Sequence, residues 1–208
     1  MARRPARRAP FMNFVPHAPA DIAAMIASHP LAWVVSRDFD ATPLPLLAEC
    51  DGQGRLVSLF GHYARRNPQV AVFEADPRAL ILFNGPQGYV SPSLVSNPVW
   101  GATWNYATLR IVAEIAFVAS ETDVALRRLA AHLEPQGGWQ VDAMGDRYDR
   151  MIDHIVAFRA TVTSCEAVFK LGQDEADGTF AEIVAGHPNR DLARAMRDQG
   201  DRRPPNPE

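Results

Sequence analysis

Three short segments of this 208-residue chain combine residue types that could hold an anionic, aromatic small molecule. The first is Gly61-His62-Tyr63-Ala64-Arg65-Arg66-Asn67-Pro68-Gln69, which follows an apolar run and opens a short helical pattern. A helix start preceded by His62, Arg65 and Asn67 brings backbone N–H groups and a guanidinium fork to one point, a chemistry that suits a phosphate. A solvated turn ahead of a Pro-started helix fits the same residues, and the segment alone does not choose. The second segment is Gly85-Pro86-Gln87-Gly88-Tyr89-Val90-Ser91-Pro92-Ser93. Its glycines and prolines read as a fixed loop that presents the hydroxyls of Tyr89, Ser91 and Ser93. The third, Thr103-Trp104-Asn105-Tyr106, puts two aromatic rings beside an amide. Rings stack on a flat heterocycle and an amide reads its polar edge, although Trp104 and Tyr106 would serve equally in a core or an interface.

Other chemistries lack their signatures. The chain has no Walker loop, no G-x-G-x-x-G, no H-E-x-x-H and no G-x-S-x-G. The six histidines show no metal-ligand spacing, so no metal is expected, and no pair of carboxylates stands out as an acid–base couple. Cys50 and Cys165 are far apart and match no redox or zinc pattern, which reads as free thiols of a cytoplasmic protein. Lys170 is the single lysine among 21 basic residues. Arginine-rich codon usage explains the bias, and leaves a lone lysine as a position to follow.

The elements that must position these groups are mostly strands. Residues 19–28 read as a helix, with Pro19 and Asp21 in the first turn and Ile22, Met25 and Ile26 on one face. Residues 31–37, 42–49, 55–60 and 79–83 read as strands, the second interrupted by proline and therefore suited to an edge. Residues 67–73 read as a short helix. The longest strand pattern, 103–119, needs a bend or bulge that wraps it around a barrel. A helix over 122–133 presents Val124, Leu126, Leu129 and Ala130, and short helices follow at 145–154 and 179–185. Residues 155–163 alternate as a strand that can run on to Leu171. Short strands with helices between them predict a mainly β fold, a β-barrel with peripheral helices.

Composition sets the frame. With 47% apolar and 22% charged residues the chain can build a large core, and no apolar run has the length that spans a membrane. Net charge is −3, so no basic field covers the whole surface. Residues 1–13, with Arg3, Arg4, Arg7 and Arg8, read as a flexible basic arm and 14–186 as a single domain. Residues 187–208 read as a disordered, charged and Pro-rich tail.

The three segments, in this order and spacing, together with the Phe14-Val15-Pro16 start and His29-Pro30, resemble the PaiB family of FMN-binding negative transcriptional regulators. The resemblance runs over residues 13–187. It implies an FMN-binding split β-barrel, a homodimer with flavin sites at the subunit interface, and FMN as cofactor. It assigns His62, Arg65 and Asn67 to the phosphate side and Tyr89, Ser91 and Ser93 to the cofactor loop. Trp104, Asn105 and Tyr106 fall to the pocket wall. Lys170 stands in the family's Lys-Leu-Ser-Gln-Asn motif, which here reads Lys170-Leu171-Gly172-Gln173-Asp174. An acid at Asp174 repels phosphate, which turns Lys170 toward structure or substrate. Two further departures are Ala41-Thr42-Pro43, where Asn-His is usual, and Leu94-Val95, where the family carries an aromatic pair.

Three functions remain open on these residues. The first is a PaiB-type FMN protein with the family's regulatory role; the chain has no helix-turn-helix pattern, so DNA contact would fall to the basic arm, which offers phosphate contacts without base readout. The second is an FMN-dependent oxidoreductase, a flavin reductase or oxidase, acting on a small molecule. There the flavin carries the redox chemistry and His62 or Tyr106 is a candidate proton donor. The third is a barrel whose pocket no longer takes flavin.

Overall fold

The computed structural model describes residues 14–134, 136–202 and 206; the basic arm at 1–13 lies outside them. Among the described residues seven strands form one sheet. They are β1 (Leu31–Val35), β2 (Ala41–Pro45), β3 (Leu47–Cys50), β4 (Leu56–Ala64), β5 (Arg78–Val90), β6 (Thr103–Phe117) and β7 (Ile155–Lys170). Their order across the sheet is β2-β1-β5-β6-β7-β4-β3. β1 pairs antiparallel with both β2 and β5, and β4 pairs antiparallel with both β3 and β7. Among the described residues six α-helices accompany them: α1 (Pro19–Ser28), α2 (Gln69–Ala75), α3 (Thr122–Leu133), α4 (Asp146–Ile152), α5 (Asp177–Gly186) and α6 (Arg190–Gly200). The fold is mainly β, as its residue pattern predicts. No helix among the described residues is long and apolar enough to cross a membrane.

The stretch at 42–49, read as one strand, is two. The chain breaks at buried Leu46, whose N–H donates to the Pro30 carbonyl at 2.9 Å. β2 and β3 then become the two outermost strands of the sheet. Pro43 and Pro45 lack the N–H that an inner strand must donate, so β2 is confined to an edge.

The described chain divides into two compact units, where its sequence suggests one body. The larger holds Ala18–Gly85 and Thr108–Ala167; the smaller holds the described residues up to His17, Pro86–Ala107 and the chain from Val168. β5, β6 and β7 contribute residues to both.

In the larger unit, alternation along the strands buries Val34, Ile81, Phe83, Leu109, Ile111 and Phe158 completely or nearly so. Each contributes about 1.5–3 kcal/mol over remaining exposed. Tyr63 sits among Phe73, Phe117 and Phe158, with ring centroids 6.2, 6.2 and 5.1 Å away. α1 packs on β3 and α3 on β4. The buried face of α3 is carried by Thr122 and Ala125, whereas Val124, expected there, is 43% exposed.

The smaller unit overturns the expectation of a disordered tail. α6 occupies its first half and buries Leu192, Ala193, Met196 and Gln199. Those residues recur at the spacing of one helical face, and the Asn189 side chain caps the helix start. The sequence hides this helix because its other positions are charged. α5 packs against α6. Gly172 adopts φ +83°, a conformation open to glycine, and a Cβ there would come within 3.1 Å of Met196 and 3.2 Å of Phe180. The departure from serine at this position therefore has a backbone reason.

Candidate functional site

The residues marked out in the sequence fall into two groups, one in each unit. In the larger unit β4 delivers His62 and ends at Ala64. The Arg65 N–H donates to the His154 carbonyl at 2.8 Å and so fixes the turn that follows. Asn67 is taken up by this turn. Its Oδ1 accepts the Gln69 N–H at 2.9 Å and its Nδ2 donates to Thr42 Oγ1 at 3.1 Å. Gln69 is buried and fully engaged. Its Nε2 donates to the carbonyls of Asp40 at 2.6 Å and Val34 at 3.2 Å, and its Oε1 accepts the Tyr63 hydroxyl at 3.0 Å. Burial pushes the Tyr63 phenol up, which keeps that hydroxyl a donor.

The start of α2, expected to receive an anion, is thus closed by the chain's own Asn67 side chain, and α2 itself is only seven residues long. What remains for an anion is charge. Arg65 and Arg66 are exposed, and among the described residues neither is ion-paired. They line an open cleft of about 560 Å³ with Val70, Ala71, Glu74 and Phe117. His62 does not line it. That ring is half-buried, its Nδ1 is enclosed without a hydrogen-bond partner, and burial pulls its pKa below the ordinary value. His62 is therefore a neutral imidazole near pH 7 and not a third cation.

The second group lies in the smaller unit. The expected loop at 85–93 is largely strand: β5 continues through Val90, and a 3-10 turn follows at Pro92–Leu94. Gly85 and Gly88 are residues of close approach. A Cβ on Gly85 would lie 2.7 Å from Met25 Cε, and one on Gly88 would lie 3.0 Å from Leu192 Cδ2. Tyr89 and Trp104 are 52% and 50% exposed, and their rings pack at 6.2 Å and 53°. The Trp104 indole N–H donates to Gln87 Oε1 at 2.9 Å, which fixes the ring while leaving it open to solvent. Tyr106 is half-buried two residues along β6.

Ser91 and Ser93 share a hydroxyl pair at 2.9 Å, and Ser91 Oγ accepts the Ser93 N–H at 3.2 Å. Lys170 Nζ donates to Thr103 Oγ1 at 2.5 Å and to the Trp104 carbonyl at 3.1 Å, so the lone lysine supports the strand that carries the indole. Asn105 is 1% exposed and its Nδ2 faces Met196 Sδ at 3.5 Å, an inward position away from the exposed rings. Gln173 closes its own turn by accepting the Leu171 N–H at 2.7 Å and donating to the Phe169 carbonyl.

Sequence reasoning passed over Gln87, Arg66, His187 and Asn189. The signal for the last two was available in His187-Pro188-Asn189, a helix-start pattern ahead of the spaced apolar residues of α6. In chemical terms the larger unit offers two guanidiniums in a cleft, and the smaller offers a fixed pair of exposed rings with an amide bonded to the indole, and a hydroxyl pair two and four residues on from Tyr89.

Residues 12–164 match the family model described as "Putative FMN-binding domain". The "Protease synthase and sporulation protein PAI 2" of Bacillus subtilis (strain 168) is 26% identical over 151 residues, which cover 67% of this chain and 72% of that protein. Two solved structures share the fold. The flavocytochrome Anf3 from Azotobacter vinelandii has a TM-score of 0.53 at 14% identity, with 74% of this chain and 76% of that one covered. The FAD and heme binding protein from Mycobacterium smegmatis has a TM-score of 0.50 at 16% identity, with 82% and 79% covered. At such identities the likeness speaks for the split-barrel fold and not for a shared ligand.

Proposed function

This chain belongs to the FMN-binding domain family, and from that premise we propose that it is a PaiB-type flavoprotein that seats the isoalloxazine of FMN on the Tyr89–Trp104 ring pair. The observation that carries this reading is the half-exposure of two aromatic rings held in a fixed pose, with the indole N–H already bonded to Gln87. A flat conjugated ring buries apolar area on such a surface without displacing a side chain. Bound FMN supplies electron-transfer chemistry, which the chain's residues do not. Their part is to bind and orient it. Ser91 and Ser93 border the rings with hydroxyls, Tyr106 adds a half-buried wall, and Lys170 and Asn105 hold the strand from behind.

The Arg65–Arg66 cleft fits a group with the chemistry of a phosphate, with His62 and Asn67 shaping its turn rather than contributing charge. Homodimer formation in the cytoplasm completes the reading. Leu31 and Trp33 on β1 are 62% and 47% exposed, apolar area that a second copy would cover. A regulatory role would run through the arginines of the arm, since a net charge of −3 gives the rest of the chain no general attraction to DNA.

The test is the visible absorption spectrum of the full chain before and after addition of FMN, with any chromophore released by acid and identified. Flavin bands near one equivalent per chain, with FMN held more weakly in Trp104→Ala, support the assignment. A colourless wild-type protein that leaves FMN free in solution sinks it.

A further inference from the structure

His187 lies in the three-residue connector between α5 and α6, outside the stretch that matches the family model. It is 2% exposed. An imidazole that deep is tolerated only if both ring nitrogens are satisfied, and both are. Nε2 is 3.0 Å from the Tyr89 carbonyl, which only accepts, so Nε2 carries the hydrogen. Nδ1 is 3.1 Å from the Asn189 backbone nitrogen. The Tyr89 carbonyl thus places a hydrogen on Nε2, and Nδ1 lies against the Asn189 backbone. Asn189, two residues on, uses Oδ1 to cap α6 through the N–H groups of Asp191 and Leu192, and its Nδ2 donates to the Gln87 carbonyl at 3.0 Å.

Two carbonyls of β5, two residues apart, are therefore held by side chains from one connector. Alternation does the rest. Gln87 and Tyr89 send their side chains to one face of the strand, and Gly88 between them faces the connector. A Cβ on Gly88 would lie 3.0 Å from Leu192 Cδ2 and 3.1 Å from His187 Cε1. A side chain there would press on both by a few tenths of an ångström. Gln87 in turn receives the Trp104 indole and Tyr89 packs on its ring, so the backbone that His187 and Asn189 hold is the backbone that orients all three ligand-facing groups.

We propose that His187 and Asn189 are positioning residues for the ring pair: they set the pose of Gln87, Tyr89 and Trp104 without touching the ligand. The inference deepens the assignment of these rings to the flavin and rests on it for its functional meaning. The experiment is an NMR spectrum of the ¹⁵N-labelled full chain, in which the four tryptophan indole signals are assigned by single Trp→Phe exchanges. It is paired with FMN titration of His187→Ala and His187→Gln. In His187→Ala the Trp104 indole signal is expected to shift and FMN affinity to fall about tenfold, while the Trp33 and Trp139 signals stay in place. Glutamine presents an N–H at the reach of Nε2, so His187→Gln restores both.

The proposal is overturned if Trp104 keeps its wild-type signal in His187→Ala. It is also overturned if all four indoles move together, which marks a loss of fold, or if glutamine is as displaced as alanine. Should the wild-type chain bind no FMN, the flavin assignment fails, and the Trp104 signal still decides whether His187 positions the rings.

Discussion

At the Arg65–Gln69 turn, the side chains that catch the eye in the sequence point inward: Asn67 caps the turn and Gln69 bridges three elements from a buried position. At Gln87–Trp104 the conspicuous side chains stay at the surface, and their support comes from behind, from Lys170, His187 and Asn189. Both stretches carry the family's residue pattern. In the first, that pattern mostly specifies local structure and leaves two arginines exposed along a cleft. In the second it specifies a surface. A shared motif therefore does not assign its residues to one kind of work, and the bonds each side chain already makes separate holding the chain from holding a ligand.

The difference can be broken most forcefully at Gln69. Gln69→Ala leaves the Asp40 and Val34 carbonyls and the Tyr63 hydroxyl without their partner inside the larger unit, and should cost about 3 kcal/mol in urea unfolding. A cost below about 1 kcal/mol would mean that the turn is not built around this residue. Trp104→Ala should do the reverse. FMN binding should weaken by about tenfold to thirtyfold, as expected for a lost stacking face, while the unfolding midpoint barely moves because the ring is half in water. If stability falls and FMN affinity holds, the two stretches have been assigned the wrong way round.

A third measurement takes the cleft of the larger unit by itself, with inorganic phosphate as the probe. The double variant Arg65→Ala/Arg66→Ala should lose about fivefold to tenfold in phosphate affinity. An unchanged affinity would take the two arginines out of any anion site. The smallest effect is a pH dependence confined to the larger unit. Burial pushes the Glu49 carboxyl up, but hydrogen bonds and charge from Arg128 and Arg159 outweigh it and hold the group below its ordinary value. A carboxylate lowered in the folded state lends stability that is complete above its unfolded value, and that fades as pH falls through the folded one. Glu49→Gln should flatten that part of the acid unfolding curve, and an unchanged slope would remove this pair from the account.

Much of the fold is legible in the residues. Helical spacing places α1 and strand alternation places β1, β6 and β7, because burial on one face imposes its period directly. Three features escape for physical reasons. Gly85 and Gly88 look like loop punctuation, whereas they are in a strand where Met25 closes on the first and Leu192 and His187 close on the second. α6 buries only four residues of eleven, so its composition resembles a solvated tail. The chain at 42–49 changes from one edge of the sheet to the other at Leu46, and local propensity carries no trace of which partner a strand will find. At the candidate site, residue type points to Tyr89 and Trp104, whose rings stand half exposed and packed on each other. It misses His187, whose part depends on a carbonyl 98 positions away.

The smaller unit is assembled from the described residues up to His17, Pro86–Ala107 and the chain from Val168. A ribosome makes the larger unit's last residue at Ala167, and only afterwards makes Lys170, His187, Asn189 and the helix that Asn189 caps. During synthesis, then, Tyr89 and Trp104 emerge long before Lys170, His187 and Asn189 exist to support them. A chain stopped at Ala167 keeps every strand of the sheet but the end of β7, and has the rings without the clasp. On the proposed reading, the ring pair gains its support only once the chain has been made through α6.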